Sequence, residues 1–348
     1  MEMKVGIIGF GFMGHWHADH MDKIDGISVQ AISDINEDKL IEADARGLKV
    51  YNNYLDLLKD SEINTILIAV PNHLHKEMAI EAAKAKKNII CEKPAALCVE
   101  EFDQMTMAAE ENNVLFSVHQ NRRWDADFLT VKKILEKKQL GKVFTIESRL
   151  FGAHGFVHDW HRYKKFGGGM IYDWGVHLFD QMLFLAPGKI KTVFADVRNV
   201  INNEVDDYFK AVFLYEDGLS YTVELGTYLL RPLPRWFVAG DQGTLVINSF
   251  FDDAEIIRSG ELLEKLPSSV EETKAGPTRA MAKRAGEALV TEIISTGEPK
   301  WSKYYENYLA VMNGEGEFAI KNSEVRRVLN LMEAVRLSAK LKQSINFE

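Results

Sequence analysis

Strand-like and helix-like patterns of apolar residues alternate along the chain as far as about residue 120. Short apolar runs, typical of strands buried on both faces of a sheet, occupy residues 4–8, 28–33, 65–70, 88–91 and 114–118. Helical spacing of apolar residues occupies the intervening segments 12–24, 36–46, 73–86 and 99–112. Because strands that alternate with helices form a parallel sheet, the pattern predicts a doubly wound α/β domain.

The pattern changes after Asn121. Helical spacing recurs at 125–138 and 169–185, a long strand is predicted at 142–151, and strand-like runs separated by turn signals fill 190–257. This texture predicts an antiparallel or mixed sheet with helices on one face. Residues 261–278 are polar and contain two prolines, so we expect a loop there. Residues 322–342 predict a final helix that closes against an earlier domain, which divides the chain into 1–121, 122–322 and 323–348.

Composition and charge narrow the classes of function. The 348 residues are 46% hydrophobic and 27% charged, as is typical of a globular protein long enough for two domains. A net charge of -9 argues against nucleic-acid binding, which needs a basic surface. We expect no membrane role, since no apolar run approaches the roughly 20 residues that cross a bilayer. Two cysteines and no secretory signal favour a cytoplasmic protein, and we expect no metal site.

The first predicted strand runs into three glycines with the spacing G-x-G-x-x-G. Gly9 allows a sharp turn, Gly11 leaves room for a pyrophosphate, and Gly14 lets the next helix pack closely on the strand. The N-terminus of that helix presents unpaired N–H groups to an anion. Asp34 lies 20 residues after Gly14, where a carboxylate accepts ribose hydroxyls. We therefore predict a dinucleotide site, with NAD favoured over NADP because the carboxylate repels a 2′-phosphate, although Lys39 could soften that preference.

Two further segments place titratable groups near this site. The segment Cys91-Glu92-Lys93-Pro94 follows a predicted strand, so Lys93 lies at the carboxyl edge of the sheet, where ligands bind. Three glycines precede Asp173 and His177, whose spacing of four places both on one face of a helix. Each of these residues alone is more often a solvated lysine, a helix cap or a hydrogen-bonded histidine. Their combination with the glycine loop favours an active site.

Taken together, these motifs resemble the Gfo/Idh/MocA family of NAD(P)-dependent oxidoreductases over nearly the whole chain. The resemblance is carried by GFGFMG at 9–14, Asp34, VPNHLH at 70–75, CEKP at 91–94, QNRRWD at 120–125 and GGGMIYDWGVH at 167–177. It implies an N-terminal Rossmann domain at 1–121 and a C-terminal α+β domain whose open, mostly antiparallel sheet forms a homodimer or homotetramer. It also implies oxidation of a hydroxyl on a small-molecule sugar, cyclitol or related polyol.

The resemblance further implies the roles of individual residues. Lys93, Asp173 and His177 would be catalytic. The implied cofactor contacts are Gly9, Phe10, Gly11, Phe12, Met13, Gly14, Asp34, Pro71, Asn72, His75, Glu92, Lys93 and Asn121. The implied substrate contacts are Lys93, Arg122, Trp160, Arg162, Tyr163, Asp173 and His177, and the segment 160–163 offers stacking and hydroxyl-binding groups.

Oxidation of a carbinol requires a base beside the hydroxyl. Because an imidazole titrates near about 6.5 and a lysine near about 10.4, we predict that His177 accepts the proton. Lys93 would then hold the substrate oxygen, and Asp173 would orient the substrate or His177, although the residues alone leave Lys93 open as the acceptor. Two alternatives remain at this stage: a dihydrodiol dehydrogenase, anhydrosugar reductase or NAD-dependent glycosidase, and a non-catalytic dinucleotide-sensing regulator.

Overall fold

The first sheet is parallel throughout and has the strand order β3-β2-β1-β4-β5-β6. The computed structural model describes residues 1–152, 159–260, 270–279 and 289–348. The strands are β1 (Met3–Ile8), β2 (Ile27–Ser33), β3 (Lys49–Tyr51), β4 (Thr65–Ile68), β5 (Asn88–Cys91) and β6 (Phe116–Val118). The connecting helices are α1 (Phe12–Met21), α2 (Glu37–Ala45), α3 (Tyr54–Lys59), α4 (His75–Lys84) and α5 (Val99–Asn112). The predicted doubly wound Rossmann domain is confirmed.

Two short elements of this domain were not predicted. Strand β3 has three residues, none of them buried, so it carries no buried apolar run. Helix α3 has six residues, which is too short for helical periodicity to emerge from the sequence. The loop between them contributes to the site described below.

The second sheet is mixed and mostly antiparallel, as predicted. Its order is β16-β13-β12-β11-β7-β10-β9-β8-β17, and among these pairs β7 and β10 run parallel. The strands are β7 (Val143–Phe151), β8 (Ile190–Arg198), β9 (Tyr208–Tyr215), β10 (Ser220–Gly226), β11 (Trp236–Gly240), β12 (Gly243–Ile247), β13 (Ala254–Ser259), β16 (Leu289–Ile294) and β17 (Ile345–Asn346). Helices α6 (Ala126–Glu136) and α7 (Val176–Leu185) belong to this half, and a π-helical turn, Ile171–Gly175, leads into α7.

Part of the segment expected to be a loop is a β-hairpin. Strands β14 (Val270–Thr273) and β15 (Gly276–Arg279) pair with each other in an isolated two-stranded ribbon, so the expectation is wrong for residues 270–278. Pro277 is compatible with β15 because an edge strand does not need every N–H for pairing. Residues 261–269 of the same expectation lie outside the described residues.

The last two helices connect the halves of the molecule. Helix α8 (Ser302–Met312) packs on the first domain, where the Tyr308 hydroxyl donates to the carbonyl of Ile89 at 3.1 Å. Helix α9 (Asn322–Leu341), predicted from its spacing, packs on α5, α7 and β8. The division at residues 121 and 322 stays a prediction, and α8 lies within 122–322 although it packs on the parallel sheet. Within the described ranges, none of the helices combines the length and apolarity needed to span a membrane.

Candidate active site

The glycine loop between β1 and α1 leaves open space where a phosphate group would lie. Gly9 has a φ of +93°, and a Cβ there would collide with the backbone of Ala69. A Cβ on Gly14 would collide with the carbonyl oxygen of Gly9, so the helix start packs directly on the turn. A Cβ on Gly11, by contrast, would meet no atom of the described chain within 4 Å. The space in front of Gly11 and the α1 N-terminus therefore fits a pyrophosphate.

Asp34 is held rigidly at the end of β2. Its Oδ2 accepts a hydrogen bond from the N–H of Phe10 at 2.6 Å, and its Oδ1 accepts from the N–H of Asn36 at 2.8 Å. The Nζ of Lys39 lies 3.0 Å from a carboxylate oxygen of Glu42. Lys39 is therefore paired with a different carboxylate, and Asp34 lies at the position expected for a ribose contact.

A cleft of about 1040 Å³ opens beyond the carboxyl ends of the parallel strands. Its wall contains residues from both halves of the chain, although they are far apart in sequence. Most of the predicted contacts line it: Gly9, Gly11, Phe12, Met13, Asp34, Pro71, Asn72, Glu92, Lys93, Asn121, Arg122, Trp160, Asp173 and His177. The structure thus brings the predicted dinucleotide and catalytic residues together at one surface.

Four predicted contacts do not lie on this wall. The side chain of Phe10 is buried and stacks on His15 with ring centroids 3.8 Å apart, so Phe10 contributes its N–H to Asp34 and not its ring to the cleft. Gly14 packs against the carbonyl oxygen of Gly9 and does not line the cleft. Arg162 and Tyr163 are exposed outside the cleft.

His75 is a fifth predicted contact that the structure places away from the cleft. Its ring is buried, and its two nitrogens each lie 2.9 Å from a carbonyl oxygen, one of Pro94 and the other of Val70. Burial lowers the pKa of His75 against the effect of these carbonyls. A neutral ring has a single N–H and donates to only one of these two carbonyls, so His75 packs between the loops that follow β4 and β5 and does not reach the cleft.

Lys93 and Asp173 form an ion pair across the cleft. The Nζ of Lys93 donates to the backbone oxygen and to the Oδ1 of Asp173, both at 3.0 Å. Burial opposes ionisation of the Asp173 carboxyl, but the positive charges of Lys93 and His161 together lower its pKa. The loop after β5 and the π-helical turn before α7 therefore supply one charged pair.

His177 lies on the first turn of α7 and is 4% exposed. Burial, reinforced by the positive charges of Lys93 and Arg122, holds the pKa of His177 well below its usual range. Its Nδ1 is buried and has no hydrogen-bond partner among the described residues. Of the two roles predicted for Asp173, orienting His177 has no support among the described residues, because the carboxylate accepts from Lys93 and not from the His177 ring. His177 is thus a neutral imidazole.

Sequence reasoning missed several residues of the cleft wall. Trp174 lies under the guanidinium of Arg122, whose Cζ is 4.1 Å from the ring centroid. Because Trp174 lies between Asp173 and His177 in the sequence, its position could have indicated that it lines the cleft. Asn52, Asn53 and Tyr54 also line the cleft, and they were missed because the strand before them was not predicted.

His161 lines the cleft beside Asp173. Its ring stacks on Trp160 with centroids 3.6 Å apart, its Nδ1 lies 2.7 Å from Asp159 Oδ1, and its Nε2 lies 3.9 Å from Asp173 Oδ1. This stack gives the cleft an aromatic wall next to hydrogen-bonding groups, an arrangement suited to a polar ring-shaped ligand.

Comparison with known proteins agrees with this geometry. Residues 3–120 match a family described as an oxidoreductase family with an NAD-binding Rossmann fold, and residues 128–246 match the GFO/IDH/MocA C-terminal domain. A solved structure of an NAD-binding protein from Listeria innocua is 36% identical with a TM-score of 0.88, and the match covers 99% of this chain and 97% of that one.

Two enzymes with stated activities are also similar. The scyllo-inositol 2-dehydrogenase (NADP(+)) IolW of Bacillus subtilis is 27% identical over 99% of this chain and 96% of its own length. The myo-inositol 2-dehydrogenase of Thermotoga maritima is 31% identical over 58% of this chain and 60% of its own length.

Proposed function

The chain belongs to the Gfo/Idh/MocA family of NAD(P)-dependent oxidoreductases acting on CH–OH groups, and from that premise we propose that it oxidises a secondary hydroxyl of a sugar, cyclitol or related polyol. The observation that carries the proposal is the Lys93–Asp173 pair beside His177, in the same cleft as the glycine loop. When bound, NAD supplies the nicotinamide ring that takes up the hydride from the carbinol carbon.

Lys93 holds the substrate oxygen in this proposal. An ammonium group has three N–H donors, and two acceptors of Asp173 lie within hydrogen-bond distance of it. One donor is left for the substrate hydroxyl. Because Asp173 fixes the position of the ammonium, Lys93 stabilises the negative charge that develops on the oxygen.

His177 accepts the hydroxyl proton. A neutral imidazole has one free lone pair, and burial keeps His177 neutral. The ring nitrogen of His177 that faces the substrate hydroxyl must carry this lone pair when the proton is transferred. The anionic Glu92 acts in the opposite direction to burial and favours the protonated ring, so it helps His177 to hold the proton after transfer.

The substrate class rests on the lining and on the relatives. Trp160 and His161 form a stacked wall, and Asn121, Arg122 and Asp173 add polar groups, which together suit a hydroxylated ring. Two similar proteins are named inositol dehydrogenases. We therefore place the cyclitols first among the candidate substrates.

We also propose that NAD is preferred over NADP. Asp34 faces the cleft with a fixed carboxylate, and the nearby Lys39 is paired with Glu42, which leaves the charge of Asp34 uncompensated by Lys39. A 2′-phosphate would be repelled there. Titrations with NADH and NADPH compare the two affinities directly, and tighter binding of NADPH would contradict this preference.

The activity is tested with a panel of inositols, aldoses and anhydrosugars, read by the absorbance of reduced nicotinamide. We expect reduced cofactor to accumulate with at least one cyclitol or sugar. A glycosidase that oxidises its substrate only transiently would release product without that accumulation. Tight NADH binding with no turnover of any panel member would contradict the proposal.

A further inference from the structure

A buried polar cluster lies directly behind Lys93. It consists of His17 on α1, Glu92 after β5, His119 after β6 and Tyr305 on α8, and we call it the Glu92 cluster. His17 Nε2 and His119 Nδ1 lie 2.7 and 2.8 Å from the same oxygen, Glu92 Oε1. Tyr305 closes the cluster, with its hydroxyl 2.7 Å from His17 Nδ1. All four residues are buried, so water does not compete for these bonds.

The other oxygen of Glu92 is directed at the catalytic loop. The backbone N–H of Lys93 donates to Glu92 Oε2 at 3.0 Å. The two carboxylate oxygens therefore divide their partners: one accepts from the histidines and the other from the residue that carries the candidate catalytic ammonium. A rotation of the carboxylate would break bonds on both sides at once.

One arrangement of protons satisfies the cluster without a charged histidine. Tyr305 O–H donates to His17 Nδ1, His17 Nε2–H donates to Glu92, and His119 Nδ1–H donates to the same oxygen. Burial lowers the pKa of His17 to about 4, so its ring is neutral at neutral pH. Burial opposes ionisation of Glu92, but His119 and His17 together hold the pKa of its carboxyl well below its usual range.

The state of His119 follows from the same pattern. Its Nε2 is buried and has no partner among the described residues. With the proton on Nδ1, that nitrogen carries only a lone pair, so no N–H group is buried without an acceptor.

We propose that His17 and His119 are positioning residues for Lys93, acting through Glu92. The two imidazoles orient the carboxylate, the carboxylate fixes the backbone of Lys93, and the ammonium is thereby aimed at Asp173 and the substrate oxygen. Because His17 lies on the helix that begins at the glycine loop, the Glu92 cluster also connects the dinucleotide-binding helix to Lys93. The structural part of this proposal is independent of the substrate, whereas its kinetic part rests on the proposed function.

The same three residues could in principle ligate a divalent metal, since one ligand atom from each lies within 4.8 Å of the other two. The separations of 2.7 and 2.8 Å from nitrogen to Glu92 Oε1 are those of charge-assisted hydrogen bonds. A zinc ion would instead lie about 2.0–2.1 Å from each nitrogen and push the ligand atoms apart. The geometry thus favours protons over a metal.

The first test needs neither substrate nor cofactor. NMR of the full chain labelled with ¹⁵N-histidine reports which ring nitrogen carries the proton. We expect slowly exchanging N–H signals from His17 Nε2 and His119 Nδ1, and we expect the Glu92→Gln variant to lose or shift both. A His119 protonated on Nε2, or a stoichiometric metal retained by the purified protein, would overturn the proposal.

The second test uses a matched pair of buried tyrosines. Tyr305→Phe removes the hydroxyl that donates to His17, whereas Tyr304→Phe removes a hydroxyl that lies 3.2 Å from Ser117 Oγ, outside the Glu92 cluster. We expect Tyr305→Phe to lower kcat by roughly 10- to 100-fold with little change in KM for NAD, because Lys93 is misplaced. Tyr304→Phe should leave kcat unchanged. Equal effects of the two variants would overturn the proposal.

A conservative replacement separates positioning from simple packing. His119→Asn retains a donor near the position of Nδ1, whereas His119→Phe retains the ring and loses the donor. We expect kcat to be restored in His119→Asn relative to His119→Phe, and crystal structures to show the Lys93–Asp173 pair intact only in the former. The pair intact in both variants would overturn the proposal even if no polyol were oxidised, whereas inactivity of the wild-type chain alone would count against the proposed function.

Discussion

At the scale of single residues, Lys93 and His177 divide the charge of the candidate site between them. The ammonium of Lys93 forms an ion pair with Asp173. That charge, together with burial, helps to keep His177 neutral. Acid–base chemistry on one hydroxyl needs a protonated group next to a group that can accept a proton. The division of roles is therefore a property of the pair and not of either residue alone.

The buried histidine His17 makes stability depend on pH. Its pKa is about 4 in the folded chain, below the ordinary value near 6.5, so between these values the unfolded chain binds a proton that the folded chain does not. We therefore expect the free energy of unfolding to fall as the pH drops from about 6.5 to about 4, with a contribution from His17 of roughly 3 kcal/mol. Urea unfolding of the wild type and of His17→Gln across this range measures that contribution.

The Tyr304→Phe variant, which changes no histidine, serves as the control and should keep the wild-type slope. The slope of His17→Gln should be shallower. Parallel curves for the wild type and His17→Gln would show that His17 is not buried as a neutral ring.

Which residues sequence reasoning could identify depends on what fixes their position. Asp34 directly follows a buried strand and Lys93 lies two residues beyond another, so both were predicted, because the chain pattern sets the edge of a parallel sheet. The bonds of Glu92 to His17 and His119 could not be predicted, since they join elements that are distant in sequence. Phe10 was predicted to contact the cofactor, yet its ring packs inward, and the sequence does not show which way a side chain in the glycine turn points.

At the scale of elements, the turn from β1 into α1 combines two glycines with different functions. Gly14 is required by the fold, because a Cβ there would collide with the carbonyl of Gly9. Gly11 has an ordinary extended backbone, with φ of -76°, and a Cβ there meets no atom of the described chain within 4 Å. We propose that the need for glycine at this second position comes from a ligand.

This difference predicts opposite outcomes for two similar substitutions. Gly11→Ala should weaken NADH binding by about tenfold or more while leaving the melting temperature unchanged, because the added methyl group occupies the pyrophosphate space. Gly14→Ala should destabilise the protein by about 1–3 kcal/mol through overpacking. Fluorescence titration with NADH and thermal unfolding measure the two effects. A Gly11→Ala variant that binds NADH as the wild type does would contradict the assigned phosphate position.

The elements that the sequence predicted well are long and have strong periodicity. Helix α5 was predicted with the bounds that the structure has, Val99–Asn112. The π-helical turn Ile171–Gly175 was read as part of one regular helix, because apolar spacing does not distinguish an extra residue in a single turn. This turn carries Asp173, so the irregularity lies at the candidate site.

At the scale of the whole molecule, a buried arginine connects helix α9 to the second domain through hydrogen bonds. Arg123 forms two hydrogen bonds with Asp180 of α7, at 2.7 and 2.6 Å, and a third with Glu324 of α9 at 2.7 Å. Asp180 is 2% exposed, whereas the side chain of Glu324 is 40% exposed. The two carboxylates therefore contribute differently.

These contacts predict that two alanine substitutions lower the free energy of unfolding by different amounts. Asp180→Ala leaves a buried cation without its main partner and should lower the free energy of unfolding by about 3–5 kcal/mol. Glu324→Ala leaves the Arg123–Asp180 pair largely buried. It should lower the free energy of unfolding by about 1 kcal/mol or less. Denaturant unfolding of both variants tests the difference, and equal costs would show that Arg123 is solvated in solution.

The outer face of the second sheet is the surface through which the predicted homo-oligomer would form. Phe194, Val212, Thr222, Glu147 and Phe237 align across five neighbouring strands on this face. Apolar residues at the two ends of the row flank a polar centre. A homodimer or homotetramer through this sheet stays a prediction.

Turnover and cofactor binding of His177→Ala, measured in parallel, test most directly whether the cleft is an oxidoreductase site with His177 as its base. Turnover of the polyol oxidised by the wild type should fall by roughly 10²- to 10⁴-fold, because general-base catalysis is lost. The affinity for NADH should stay within about twofold of the wild type, since the cofactor contacts assigned to the glycine loop and Asp34 are unchanged. A comparable loss of NADH affinity, or wild-type turnover, would contradict the account.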